Sequence, residues 1–124
     1  MMKFEVNVKP FKSMRYKTLG DYQEKEDGTI VIEAAETGNW IYDLLILRHE
    51  LDEFIMVKAK GIKDEDIIAF DEAHADADDP GLLKDAPYRM EHAIADAQDR
   101  IILAHLGLTY KEYDDACNKI WEGK

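Results

Sequence analysis

Cysteine, proline and basic residues are all in short supply in this chain, and each shortage removes a class of protein. The single cysteine, Cys117, cannot close an internal disulfide or complete a CxxC redox or zinc motif. It falls on the apolar side of the last expected helix, where it packs. Three prolines in 124 residues, with 46% hydrophobic and 10% aromatic side chains, exclude a disordered tail and describe a folded chain. Basic residues number 16 against 27 acidic ones, for a net charge of -11. Every contact to a nucleic-acid phosphate wants a Lys or Arg, and the field of this chain would repel a polyanion, so DNA and RNA are not expected partners. The acidic balance suits a metal cation, a basic partner or plain solubility. No P-loop, GxGxxG or GxSxG occurs, which removes the usual entry points to nucleotide-dependent and serine-hydrolase chemistry.

Long apolar runs are missing too. The least polar run, Trp40 to Leu47, has eight residues, whereas a membrane-spanning helix needs about 20. The N-terminal MMKFEVNVKP holds no apolar core of signal-peptide length. A cytoplasmic protein without membrane contact is the expectation. A chain of this length buries roughly two thirds of the surface its unfolded form exposes. One domain over residues 1–124 is therefore expected, β-rich over 1–36 and helical over 39–122.

What is present centres on WIYDLLILRHELDEFIMVKAK, residues 40–60, the longest candidate helix. At about 100° per residue, Trp40, Leu44, Leu47, Leu51, Phe54 and Ile55 form one broad apolar face. Leu45, Ile46, Met56 and Val57 extend apolar character most of the way round, as in a helix buried on several sides. Asn39 is its N-cap and Gly61 its C-terminal stop. Within it, His49 and Glu53 lie one turn apart, with Tyr42, Leu45, Ile46 and Met56 as neighbours.

Around that helix, residues 3–8 alternate as a half-buried strand with Phe4, Val6 and Val8 on one side, ended by Pro10. The segment Met14 to Gln23, the turn Glu26-Asp27-Gly28 and Thr29 to Glu33 read as a hairpin. A second helix is expected from about Asp64 to Asp76, opened by Asp64, Glu65 and Asp66. The stretch Asp76 to Ala86, with Pro80-Gly81, reads as a long loop of the kind that borders sites. Its Asp76, Asp78 and Asp79 lack EF-hand spacing and read as solvated. A third helix follows from about Pro87 to Leu106, with Ala93, Ala97 and Ala104 permitting close packing and Met90, Ile94, Ile101 and Leu103 supplying apolar volume. Thr109 to Glu112 is a capping box for the last helix, which ends near Trp121. The expected fold is α+β: a small N-terminal antiparallel sheet of about three strands followed by about four helices.

The chemistry-bearing constellation is His49-Glu50-Leu51-Asp52-Glu53. It compares with H-E-x-x-H, in which two ligands one turn apart hold zinc and the intervening Glu is the general base. Here Glu53 takes the second ligand position, and a carboxylate is an acceptable zinc ligand. His92 on the third helix is the first choice for a third ligand, giving a His₂Glu set, with Glu50 as base. Asp71 is a fourth ligand or an acceptor that orients an imidazole N–H. The cofactor so implied is a divalent metal, zinc before others. The competing reading of the same residues is a buried hydrogen-bonded network with no ion, since a His and a Glu four apart on a helix ordinarily pair with each other. A di-iron bundle lacks its paired Glu-x-x-His motifs.

Several runs taken together resemble small uncharacterised proteins of bacteria and their phages: Trp40, Tyr42 and Asp43; His49, Glu50, Leu51 and Glu53; Gly61, Ile62, Phe70 and Asp71; Asp79, Pro80 and Gly81; Ala86, Pro87 and Tyr88; Glu91 and His92. The match spans about residues 40 to 113 and implies a shared polar site. More remotely, the chain is similar to minimal zincin-type metallopeptidase domains, in which a small sheet precedes the H-E helix. That likeness implies hydrolysis of a peptide or other amide. The rival expectation, from a different class, is a non-enzymatic phage- or prophage-type interaction domain whose acidic surface meets a protein partner, with His49, Glu53 and His92 as a buried hydrogen-bond network.

Overall fold

The computed structural model describes residues 1–77 and 79–123. Strands β1 (Phe4–Lys9), β2 (Gly20–Glu24) and β3 (Ile30–Ala35) are followed by helices α1 (Trp40–Lys60), α2 (Asp64–Ala73), α3 (Arg89–His105) and α4 (Tyr110–Trp121). Short 3-10 turns occupy Phe11–Ser13 and Pro80–Leu82. This is the expected α+β class. Of the acidic group at 76–79, Asp78 lies outside the described residues. Among the described residues no helix is long and apolar enough to cross a membrane.

The sheet is mixed where a wholly antiparallel one was expected. Its order is β1-β3-β2, with β2 antiparallel and β1 parallel to β3. The hairpin turn is made locally: Gly28 adopts φ 87°, its N–H donates to Lys25 O at 2.9 Å, and Asp27 Oδ1 accepts from Thr29 N at 2.9 Å. Residues 10–19 are long enough to carry the chain past β3 instead of folding directly back, which places β1 on the far edge. β3 is then the central strand and is buried along its whole length.

α1 begins at the expected cap, where Asn39 Oδ1 accepts from Ile41 N at 3.0 Å and Tyr42 N at 3.4 Å. It ends at Gly61 in the left-handed region, φ 72°, with Ile62 N bonded back to Val57 O at 3.1 Å. Thr109 and Glu112 cap α4 reciprocally through the Glu112 N–H to Thr109 Oγ1 bond at 3.2 Å and the Thr109 hydroxyl to Glu112 carboxylate bond at 3.0 Å. α2 stops at Ala73, three residues short of expectation, where His74 folds back over Phe70 with Nδ1 2.9 Å from its carbonyl.

α1 packs against β2, β3 and α3. Its buried stripe is Tyr42, Leu45, Ile46, His49, Glu50, Glu53, Phe54 and Val57. The expected apolar face is therefore turned largely outward: Leu47 and Phe54 are buried, but Trp40 is 72% exposed, Leu44 52% and Ile55 56%. α3 is rotated in the same sense. Met90, Ile94 and Ile101 are exposed, and Glu91, Ala95, Asp99 and Leu103 form the buried row. Phe4, Val6 and Val8 are also exposed. By register they share a face with Ile30, Ile32 and Ala34, but a helix about 10 Å wide covers about two strands spaced about 4.8 Å apart. α1 covers β3 and β2, so β1 lies outside its reach. Cys117 is buried as expected.

Leu103, at 1% exposure, should lose about 3 kcal/mol of stability on truncation to Ala. Trp40→Ser should stay within about 0.5 kcal/mol. Urea denaturation of both variants checks the orientation of the helices, and a costly Trp40→Ser would contradict it.

Candidate metal centre

Three side chains from two helices converge. His49 and Glu53, one turn apart on α1, bring Nε2 and Oε2 within 2.6 Å. His92, in the first turn of α3, places Nδ1 3.2 Å from His49 Nε2 and 3.1 Å from Glu53 Oε2. The result is a nearly equilateral triangle of two imidazole nitrogens and one carboxylate oxygen. Ligands of a tetrahedral zinc ion with bonds of about 2.0–2.1 Å sit about 3.3 Å apart. These side chains thus form a group that could hold a metal ion after movements of a few tenths of an ångström.

Each imidazole is oriented from behind by a carboxylate. His49 Nδ1 lies 2.7 Å from Asp99 Oδ2, and His92 Nε2 lies 3.0 Å from Asp79 Oδ2. A ring N–H held by a carboxylate leaves the opposite nitrogen with its lone pair free for an ion. Neither Asp99 nor Asp79 was expected from sequence. Asp99 was hidden because the polar side of α3 is its inner side; its spacing seven residues after His92, two helical turns, is the signal that places both on one face. Asp79, read as solvated, is bent inward by the Pro80–Leu82 turn. Arg48 Nη1 stands 3.9 Å from Asp99 Oδ1, near enough for attraction and too far for a hydrogen bond.

Glu50 lines the same cavity against Gly20, and among the described residues its carboxyl has no hydrogen-bond or ion-pair partner. Gly20 of β2 makes room for it: a Cβ there would lie 2.6 Å from Glu50 Cγ. Gly81 does the same for His92, whose Cγ a Cβ would meet at 2.6 Å. Asp71 is not brought to the triangle. It accepts from the Tyr88 hydroxyl and, at 3.3 Å, from the Tyr16 hydroxyl. A second group, His49 with Asp96 and Asp99, shares the His49 ring. His74 and His105 stand apart from both groups.

Burial works against a charged His49, yet its hydrogen bonds to Asp99 and Glu53 outweigh that and hold its pKa well above the ordinary value. His92 is raised to about 10 in the same way: burial opposes, and Asp79 and Glu53 prevail. Burial would raise Glu53, but the bonds and charges of both imidazoles bring it down to about 2. Glu50 is pushed well up by burial and by the Glu53 charge. Asp71 is raised to about 6 by burial, against its two tyrosine bonds.

No family model, curated protein or solved structure matches this chain.

Both imidazole pKa values lie above the ordinary 6.5. Their protonated pairs therefore stabilise the metal-free fold fully below about pH 6.5, and that contribution is lost as pH rises through about 10. A metal ligand needs the unprotonated nitrogen. The Tm of chelator-treated protein should fall between pH 6.5 and 10, and the rise in Tm caused by added zinc should grow over the same window. Calorimetry showing neither trend would contradict the assigned pairing.

Proposed function

We propose that this protein is a zincin-like, metal-dependent hydrolase of a peptide or other amide, with His49, Glu53 and His92 as ligands. The observation that carries the reading is the triangle itself, in which the second nitrogen of each imidazole is already engaged by a carboxylate. Two imidazoles and one carboxylate suit zinc and leave a position open. A bound zinc would supply Lewis-acid polarisation of the substrate carbonyl and of water.

The chain's own residues carry the remaining roles. Glu50 lies one residue from His49 and lines the cavity, where burial and the Glu53 charge push its pKa up, and it is the carboxyl placed to act as general base. It would take a proton from the attacking water and return it to the leaving nitrogen. Asp99 and Asp79 fix which ring nitrogen of each histidine faces the cavity. Gly20 and Gly81 let β2 and the 80–82 turn close upon Glu50 and His92, narrowing access to bulk water.

One observation favours the rival, a non-enzymatic interaction domain with an ion-free network: with both rings protonated, every ring nitrogen of His49 and His92 faces a carboxylate. Glu50→Gln separates the two readings. In zinc-loaded protein it should keep the metal and lower amide hydrolysis, followed on a peptide library, by about 10²–10⁴-fold. A variant with full turnover removes Glu50 from the mechanism, and a wild type that cleaves no amide favours the rival.

A further inference from the structure

One edge of the sheet is open, and the backbone there is aimed outward. The Lys3 carbonyl accepts from Ile30 N at 2.9 Å and the Lys9 carbonyl from Glu36 N at 2.8 Å, so the odd-numbered residues of this stretch turn their main-chain groups toward β3. Successive residues of a strand turn theirs to opposite edges. The N–H and C=O groups of Phe4, Val6 and Val8 therefore point away from β3, along the edge that no strand of this chain occupies. Their side chains form an exposed apolar row beside that bare main chain. Sheet edges are ordinarily blunted by proline, by an inward charge or by a covering helix or loop. Between Phe4 and Val8 there is no proline, the face with the apolar row has no charge, and α1 lies over β2 and β3 instead.

The strand is complementary to a second copy of itself run antiparallel. With Val6 opposite Val6 of the second copy, Phe4 stands opposite Val8 and every outward N–H of the three residues meets an outward C=O. Neighbouring registers fail for separate reasons. A slip of one residue sets apolar side chains against polar ones. A slip of two in one direction puts Glu5 opposite Glu5, and like charges directly opposite are destabilising. A slip of two in the other direction brings Phe4 to Pro10, which has no N–H and whose carbonyl already accepts from Ser13 N at 2.9 Å. In the remaining register Glu5 faces Asn7, an acceptor against a donor. Lys9, which then stands opposite Lys3 of the second copy, is neutralised within its own chain by Glu33 at 3.0 Å.

We infer that two copies of this chain associate about a two-fold axis at Val6, joining their β1 strands into one continuous sheet. The contact uses the same edge of both copies, so the assembly closes at a dimer. An interface one strand wide is small, and its association is weak and concentration-dependent. It is independent of any ion at the triangle.

Sedimentation equilibrium of the full chain over roughly 1 µM to 1 mM, with chelator present so that shared zinc links no chains, tests this. The wild type should move from one chain mass toward two, and a mass that stays at one throughout overturns the inference. Val6→Glu and Val6→Lys each set like charges opposite one another across the axis, and each should weaken association at least tenfold. Mixed in equal amounts, the two variants should pair with each other. A dimer that survives either substitution unchanged, or a mixture that stays monomeric, overturns the two-fold at Val6. Should the charged variants unfold, amide hydrogen exchange of the wild type decides. Exchange at Phe4, Val6 and Val8 should slow as the protein is concentrated over the same range, and unchanged exchange at those amides overturns the pairing.

Discussion

Taking an ionised group out of water costs several kcal/mol after relaxation, and His49, Glu53 and Asp99 are all removed from it between α1 and α3. They are tolerated because each compensates another: the His49 ring bridges Glu53 on its own helix and Asp99 on the facing one. That bridge fixes how both helices are rotated. If α1 turned Trp40, Leu44 and Ile55 inward, as its apolar content alone invites, His49 and Glu53 would leave Asp99 and His92 behind. The fold leaves these large apolar side chains exposed and keeps this polar contact buried.

The rest of the architecture presses on the same point. β2 and β3 supply a floor for α1, and Gly20 permits the floor to approach Glu50 with no side chain between. The loop after α2 returns over His92, where Gly81 allows contact and Asp79 takes the outer ring nitrogen. α4 seals the far side with Tyr113 and Cys117 against the core. Lys60 at the end of α1 meets buried Glu91 at 2.6 Å, so the second charged residue of the inner face of α3 is also answered from α1.

Local signals were legible in the sequence because they are made by neighbours. Asn39, Gly61 and the Thr109–Glu112 box mark helix ends through bonds spanning a few residues, and those ends fall where expected. His49, Glu53 and His92 were also legible as a set, since one-turn spacing puts the first two on one face and the third is the one histidine of the first turn of α3. Orientation was not legible. Periodicity tells which residues share a face, and the apolar face was assumed to be the inner one. In α1 and α3 the polar rows that carry His49, Glu53 and Asp99 face inward instead, against the direction that apolar content suggests. Strand order depends on how far residues 10–19 carry the chain, which no local pattern encodes, so alternation alone suggests an antiparallel β1 with Phe4, Val6 and Val8 half-buried, whereas β1 is parallel to β3 and those three are exposed.

The central claim is that the His49, Glu53 and His92 triangle holds an ion. The most direct measurement is the metal content of protein purified without chelator or affinity tag, before and after reconstitution with zinc at pH 8, beside His92→Ala. The account predicts close to one tightly held ion per chain, lost in the variant while the circular-dichroism spectrum stays helical. Protein that holds no metal at micromolar zinc, or a variant that binds as the wild type does, would contradict it and leave the triangle a network of protons.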